Sequence, residues 1–336
     1  MKSVKIALID SGIKKEALPL FINKENIEEG FAIHGDSKDS IRITQCRPED
    51  NNGHGTACAI TISRIAQNTK IIPISILGRD GRCSIEQLIA ALHLAQSIDA
   101  SIVNMSLSSN DLRYSLLLKK EINALKDQNK ICISSISNDR WLSFPALFNS
   151  VIGVKGSSAI FNLGFGYNKK KIQAIASGAA ELPQFHIGET NFFRGNSRAT
   201  AIVSGIVASA MEKKQIKEMD IEGFLIRNSW DDNSLMEPMK DCRDRALVDG
   251  VYVCISELIK KNKIHAKLYK DGMLSYIGSP IEDYYKIILS LEKFFGCRLF
   301  EKCIVYRMYF ESIYSLSTLV GNAILNEKKC EKNNKI

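Results

Sequence analysis

Hydrophobic residues occur along the chain in two alternating patterns, short continuous runs and spaced runs with helical periodicity. The continuous runs predict buried strands over residues 4–9, 70–77, 100–107, 131–136 and 151–154. Between them, apolar residues recur every three or four positions, which predicts helices over residues 84–97 and 114–128, with Ser84 as the cap of the first. Strands that alternate with helices indicate an α/β fold with a doubly wound, mainly parallel sheet flanked by helices.

The pattern changes after about residue 250, where strands stop and helices follow one another. Apolar spacing predicts helices over residues 251–261, 281–295 and 313–325, joined by long loops. We therefore divide the chain into a large domain over residues 1–245, a small helical domain over residues 250–326 and a flexible basic tail over residues 327–336.

Composition and charge narrow the classes of partner. The 336 residues carry a formal net charge of +8, but the basic residues form no stripe interleaved with aromatic residues, so we predict no nucleic-acid partner. No run of about 20 apolar residues occurs, which predicts no membrane partner. The nine cysteines lack CxxC spacing, and three of them lie in apolar runs as buried thiols do (Cys58, Cys132, Cys254). Since no signal peptide is visible ahead of the first strand, we expect a cytoplasmic protein.

Three short motifs place an acid, a base and a nucleophile at the ends of predicted elements. Asp10 ends the first strand, His54 begins a helix after Gly53, and Ser197 lies at the start of a helix with a clear apolar periodicity. A serine hydroxyl becomes a nucleophile when a histidine takes its proton, and a carboxylate fixes the tautomer of that histidine. Each motif alone is also ordinary turn or capping chemistry, so the prediction depends on the three together.

In this order, the motifs Asp10-Ser11-Gly12, His54-Gly55-Thr56 and residues 195–200 resemble those of the subtilisin-like serine proteases, the subtilase or S8 peptidase family. The resemblance covers about residues 4–230 and implies a subtilisin-like fold with a catalytic triad of Asp10, His54 and Ser197. It also implies that Asn138 donates to the oxyanion together with the Ser197 backbone N–H. A substrate-lining strand is implied as well, with four binding residues (Asn104, Ser106, Leu107 and Ser108).

The chain departs from the family pattern at a few positions. Arg198 stands where the residue after the nucleophile is usually Met, and Ser108 and Ser109 stand where two glycines are common. The two serines imply a differently shaped pocket floor and an altered specificity, but no departure removes a catalytic atom. No acidic cluster has the spacing of a calcium loop, so we predict neither a metal nor a cofactor.

The small helical domain resembles acyl carrier proteins over about residues 252–326, through residues 291–296 and 310–320. In carriers, a serine that follows an aspartate bears the prosthetic arm. The corresponding place falls near Ile281, and Pro280 and Ile281 cannot carry it, while the nearby Ser279 lacks the aspartate. Two interpretations stay open: a carrier-like binding module without a prosthetic group, or a helical extension that packs on the protease.

These observations predict an intracellular serine endopeptidase. A protease in the cytoplasm needs restraint, so we expect a dedicated substrate, such as the modified precursor of a ribosomally made, bacteriocin-like peptide. The C-terminal domain is then expected to bind partner biosynthetic proteins. Two alternatives remain: a non-catalytic peptide-binding module with the protease fold, and a protease of general intracellular protein turnover.

Overall fold

The computed structural model describes residues 3–137, 142–168, 173–185, 192–216, 220–230, 242, 244–276 and 278–333. For residues 330–333 it describes the backbone only. The chain divides into two compact units. Unit 1 comprises Met1–Ala179 and Phe185–Met236, and unit 2 comprises Ala180–Gln184 and Glu237–Ile336.

Unit 1 is built on one nine-stranded sheet. Its strands are β1 (Lys5–Asp10), β2 (Gly30–His34), β3 (Arg42–Cys46), β4 (Lys70–Ser75), β5 (Ile102–Met105), β6 (Ile131–Ser135), β7 (Val151–Ser157), β8 (Phe165–Tyr167) and β9 (Ala174–Ser177). The spatial order is β3-β2-β4-β1-β5-β6-β7-β9-β8. Only the outermost strands, β3 and β8, run antiparallel to their neighbours. The prediction of a doubly wound, mainly parallel sheet is therefore confirmed.

Helices cover both faces of this sheet. They are α1 (His54–Ile65), α2 (Ile85–Ser97), α3 (Ser115–Asp127), α4 (Gly195–Glu212) and α5 (Ile221–Asn228). The helices α1 and α4 share one buried cluster with the sheet, and α2 and α3 share the other. Small residues let α4 run through its cluster: a Cβ at Gly205 would lie 3.2 Å from the Ile62 carbonyl oxygen of α1. The predicted cap of α2 is present, because Ser84 and Gln87 form a capping box.

Strand order places the candidate chemistry at one edge of the sheet. The strands β1, β5 and β6 are parallel neighbours, so their carboxyl ends lie side by side. Asp10 is the last residue of β1, and Ser106 directly follows β5. Polar side chains that leave adjacent parallel strands at this edge meet in the crevice where α/β folds bind ligands.

Unit 2 is mainly helical. It contains α6 (Arg245–Lys260), α7 (Ile281–Phe295), α8 (Leu299–Lys302), α9 (Ile313–Asn333) and a short hairpin of β10 (Lys267–Leu268) and β11 (Leu274–Ser275). The helix α6 begins earlier than predicted because the Asp244 side chain caps it, accepting from two backbone N–H groups. Residues 180–184 join this unit through backbone hydrogen bonds, such as Leu182 N–H to the Val305 oxygen at 2.8 Å.

The acyl-carrier resemblance of unit 2 stays a prediction. Pro280 is the N-cap of α7 and Ile281 its first residue, while the Ser279 hydroxyl donates to the His265 carbonyl oxygen. In the part of the chain that the structure describes, no helix combines the length and the apolar character needed to cross a membrane.

Candidate active site

The structure brings Asp10 and His54 into direct contact. Asp10 is fully buried at the end of β1, and its Oδ1 lies 2.7 Å from Nδ1 of His54, the first residue of α1. The same oxygen accepts from the Ser11 backbone N–H at 2.8 Å. Because a carboxylate only accepts hydrogen bonds, Nδ1 of His54 carries the proton. The Nε2 atom of the neutral ring therefore has a free lone pair and can act as a base.

The surroundings of His54 make it a stronger base. Burial alone would lower the pKa of the imidazole, because it disfavours the charged ring. The carboxylate of Asp10 outweighs this effect, and the pKa of His54 is raised well above its usual value. The ring of Phe193 packs against the imidazole in an edge-on arrangement, with ring centroids 5.7 Å apart. The imidazole is thus held from two sides.

The start of α1 fits closely against the end of β1. Gly53, the N-cap of α1, has a φ of 95°, which favours glycine. A Cβ at Gly55 would lie only 2.3 Å from the Gly12 carbonyl oxygen, so no larger residue fits there. The Gly55 N–H donates to Ser11 Oγ at 2.9 Å. The backbones of the two segments therefore approach each other closely, and this approach fixes the His54 ring beside Asp10.

A buried carboxylate, Asp50, organises the loop that precedes His54. Its Oδ1 accepts from Ser11 Oγ and from the backbone N–H groups of Asn52 and Gly53, at 2.7–3.0 Å. Its Oδ2 accepts from the backbone N–H and the hydroxyl of Thr56, at 2.9 and 2.6 Å. A single side chain thus satisfies five donors around the first turn of α1.

Replacing Asp50 by alanine is expected to lower the free energy of unfolding by about 3 kcal/mol, because several buried donors lose their acceptor. Denaturant unfolding measures the loss. Glu49→Ala is the matched control: this neighbouring side chain is exposed, and its removal is expected to cost less than about 0.5 kcal/mol. Equal stabilities of the two variants would contradict the role given to Asp50.

Ser197 lies in the first turn of α4, opposite β5. Its Oγ donates to the Ser106 carbonyl oxygen at 3.0 Å rather than to His54. Because the first N–H groups of a helix have no partner within it, the Ser197 N–H is available to an anion. A rotation about χ1 would redirect the hydroxyl, and such catalytic contacts often tighten only when substrate is bound.

The residue before the nucleophile, Asn196, ties this helix turn to two strands. Its amide nitrogen donates to the Ile136 carbonyl oxygen at 2.9 Å, just beyond β6. Its amide oxygen accepts from the Gly156 N–H of β7 at 2.7 Å. Backbone pairing of Gly195 N–H with the Gly178 oxygen, at 2.9 Å, adds a third link. The position of Ser197 is thus set by the ends of three strands.

The next residue, Arg198, is completely buried. Its Nη1 donates to the carbonyl oxygen and the hydroxyl of Ser177, at 3.0 and 2.7 Å, at the end of β9. A buried guanidinium requires hydrogen-bond acceptors, and these two supply part of them. Arg198, which stands where the family usually has Met, therefore packs in the core next to the nucleophile.

An open cleft of about 670 Å³ joins these groups, with both His54 and Ser197 in its wall. Three of the predicted substrate-binding residues, Ser106, Leu107 and Ser108, also line it. Asn104 does not: it is fully buried, donates to Ser204 Oγ at 2.7 Å and accepts from Ser106 Oγ at 3.1 Å. Its predicted contact with substrate is corrected to a supporting role behind Ser106, because it points into the core. The predicted oxyanion residue, Asn138, lies outside the described residues.

Cys58, Asp10 and His54 each have an atom that could bind a metal ion, and these three atoms lie within 4.8 Å of one another. Burial raises the pKa of Cys58 to about 11, so its sulfur is a thiol at neutral pH. A metal ion would need the thiolate and would also have to displace the hydrogen bond between Asp10 and His54. The geometry therefore favours proton transfer over metal binding.

Sequence reasoning missed three residues that shape the site: Asp50, Phe193 and Asn196. Asp50 precedes Asn51-Asn52-Gly53, and an aspartate that accepts from N–H groups two and three residues later is ordinary turn chemistry. That signal was available. Phe193 and Asn196 act through contacts with residues far away in the sequence, which no local pattern reveals.

Comparisons with known proteins place the chain in a family and a fold. The profile of the peptidase S8 family, described as the Subtilase family, matches residues 1–247. Subtilisin BL of Lederbergia lenta is 23% identical over 223 residues, which are 62% of this chain and 77% of that protein.

Two solved structures share the fold. The nisin leader peptidase NisP from Lactococcus lactis has a TM-score of 0.52 and 18% identity, over 69% of this chain and 84% of NisP. The epidermin leader peptide processing serine protease EpiP from Staphylococcus aureus has a TM-score of 0.50 and 18% identity, over 67% and 68% of the two chains.

Proposed function

This chain belongs to the subtilase family of serine endopeptidases, and we propose that it cuts a dedicated precursor peptide with Asp10, His54 and Ser197. One observation carries the proposal: the 2.7 Å contact between Asp10 and His54 opens onto the cleft that also holds Ser197. A buried carboxylate, an imidazole with a free Nε2 and a serine at a helix N-terminus are the parts that acyl transfer needs.

The proposed reaction proceeds by acyl transfer to water. Ser197 Oγ attacks the peptide carbonyl while Nε2 of His54 takes its proton, and Asp10 stabilises the resulting imidazolium. The oxyanion is held by the Ser197 N–H and, by the family resemblance, by Asn138. His54 then protonates the leaving amine, water enters, and the same steps in reverse release the acid.

The dedicated substrate is proposed from the fold and the cleft. Two structures of the same fold, NisP and EpiP, carry names that describe leader-peptide processing. In this chain the wall of the cleft carries Ser108 and Ser109 where the family commonly has glycines. Since an extended peptide pairs with such a segment, two extra side chains narrow the set of peptides that fit.

Incubation with a candidate precursor, a short peptide encoded near its gene, tests this function. We expect one discrete cut, located by mass spectrometry, and no comparable digestion of unfolded casein. Broad digestion of casein would instead support general protein turnover. If the wild-type protein leaves the precursor intact, the dedicated-substrate proposal fails.

The pH dependence of kcat/KM follows from the pKa of His54. The neutral imidazole is the active form, and Asp10 raises the pKa well above 6.5. We therefore expect kcat/KM to be low in acid, to rise through a midpoint above pH 6.5 and to level off at alkaline pH. Initial rates at constant ionic strength measure the profile. A midpoint below pH 6.5 would contradict the arrangement.

The second candidate is a peptide-binding module with little turnover. It is favoured by the hydrogen bond from Ser197 Oγ to the Ser106 carbonyl oxygen, which leaves His54 without the serine proton. The measurement that separates the candidates is titration of a fluorescent precursor followed by product analysis. Saturable binding that leaves the peptide uncut supports the binder, and accumulation of product supports the enzyme.

We also propose a reducing, intracellular setting. The eight cysteines that the structure describes are all unpaired, and several are buried as thiols. The melting temperature is then expected to be the same with and without dithiothreitol. A clearly lower melting temperature in the presence of dithiothreitol would point to a disulfide and an oxidising compartment. The binding of partner biosynthetic proteins by the C-terminal domain also remains a proposal, which pull-down with unit 2 deleted would test.

A further inference from the structure

A second cavity adjoins the catalytic cleft. It has a volume of about 490 Å³ and shares Leu77 and Arg82 with the cleft, so the two spaces have a common wall. Ser11, next to the buried Asp10, also lines it. A peptide bound beside Ser197 therefore has an open side space within reach of its side chains.

This second cavity has an excess of positive charge. Three arginines line it, Arg47, Arg79 and Arg82, against the single carboxylate of Glu49. Arg47 lies on the loop after β3, whereas Arg79 and Arg82 lie on the loop after β4, so two separate segments bring cations to one space.

Within the described part of the chain, none of these three guanidinium groups is paired with a carboxylate. Other exposed arginines do have a local carboxylate partner, such as Arg113 with Asp111 at 2.6 Å and Arg298 with Glu301 at 3.1 Å. Unpaired guanidinium groups that converge on a concave space next to a reaction centre are a ready site for a carboxylate.

We propose that this second cavity, which we call the basic cavity, binds an acidic side chain of the substrate. Arg82 on the common wall, together with Arg79 and Arg47 in the rest of the lining, then selects peptides that carry Asp or Glu near the cut. Because the basic cavity shares Leu77 and Arg82 with the cleft that holds Ser197, the acidic residue lies close to the scissile bond in the peptide sequence. The inference rests on the proposed function, because it assumes a peptide substrate. It adds a preference for acidic residues to that function.

The size of the effect follows from exposed ion pairs. All three arginine side chains are exposed, and one such pair changes an equilibrium constant about two- to fivefold. Two of these guanidinium groups on one carboxylate would give a preference of about tenfold for an acidic peptide over its amide twin. Since solvent screens such pairs, the preference is expected to shrink as salt is added.

The test begins with binding, so that it does not depend on turnover. A random peptide library with amidated C-termini is panned against Ser197→Ala, and we expect the bound peptides to be enriched in Asp and Glu. The best peptide and a twin with Asn or Gln in place of its acids are then compared. Affinity is measured on Ser197→Ala, and kcat/KM on the wild type, on Arg82→Glu and on Lys126→Glu. The last variant makes the same change in net charge on α3, outside the basic cavity.

The expected result is an approximately tenfold preference for the acidic peptide that Arg82→Glu abolishes or reverses and Lys126→Glu preserves. Equal binding of the two twins, or equal losses in the two charge variants, would overturn the inference. An acid preference in binding without any cleavage by the wild type keeps the inference and overturns the protease function. Cleavage without an acid preference keeps the protease function and overturns the inference.

Discussion

Replacing Ser197 with alanine is expected to remove peptide hydrolysis almost completely, with a loss in kcat of about a millionfold, the loss that triad removal causes in a subtilisin. The reason is geometric: His54 and Asp10 stay in place at 2.7 Å, but no oxygen is left to attack the carbonyl. Labelling with a fluorophosphonate probe gives the direct measurement, because the probe reacts with an activated serine. The wild type is expected to label and Ser197→Ala is not.

Ser106→Ala is a useful companion to this experiment. The Ser197 hydroxyl donates to the backbone carbonyl oxygen of position 106, which the substitution keeps, whereas the 3.3 Å hydrogen bond from Ser106 Oγ to the Ser197 carbonyl oxygen is lost. We therefore expect Ser106→Ala to label more slowly than the wild type but still clearly. Labelling that persists in Ser197→Ala would show that another residue reacts. If the wild type does not label even with a precursor peptide present, the peptide-binding candidate takes the place of the enzyme.

Local patterns along the chain were enough to predict most of the elements that carry the site. The buried run ending at Asp10, the capping box of α2 and the apolar periodicity of α4 each specify one element through neighbouring residues. Parallel strands buried on both faces read as continuous apolar runs, so β1 and β4 to β7 were visible. The helix α7 was also predicted with its final bounds, because Gly296 adopts a left-handed conformation and ends it.

Several of the strands that the patterns missed share a physical cause. The strand β3 is exposed at the edge of the sheet and reads as polar, and β8 and β9 are short. Such strands exist because a neighbour supplies their hydrogen bonds, and the identity of that neighbour is not a local property. The same holds within the site. Asn104 lies on the predicted strand, but its hydrogen bond to Ser204 in α4 turns it away from the cleft.

The site combines local and distant determinants in a consistent way. Each reactive group begins or ends a regular element, which the sequence reveals, while its orientation comes from a residue contributed by another segment. Asp50 sets the loop before His54, and Asn196 sets the turn that holds Ser197. Substitutions of these supporting residues are therefore expected to act on stability and alignment together, whereas replacing Ser197 removes the attacking oxygen and acts mainly on chemistry.

Replacing Arg198 with alanine is expected to lower the free energy of unfolding by about 3–5 kcal/mol, the cost of emptying a large buried site. Arg198 is completely buried, and its loss also leaves the Ser177 carbonyl oxygen without its guanidinium donor. Arg198→Met restores much of the volume but not the donor, so we expect it to cost about 1–3 kcal/mol. Denaturant unfolding of the two variants measures the difference.

Arg194→Ala provides the matched control for this prediction. Arg194 precedes the same helix but is exposed, so its removal is expected to change stability by less than about 0.5 kcal/mol. If Arg198→Ala unfolds at the denaturant concentration of the wild type, the guanidinium does not hold the helix start in place. If Arg198→Met is instead as unstable as Arg198→Ala, then the hydrogen bonds to Ser177 matter more than the filled volume. Because these bonds join the end of β9 to the residue after Ser197, we expect fluorophosphonate labelling to slow in both variants.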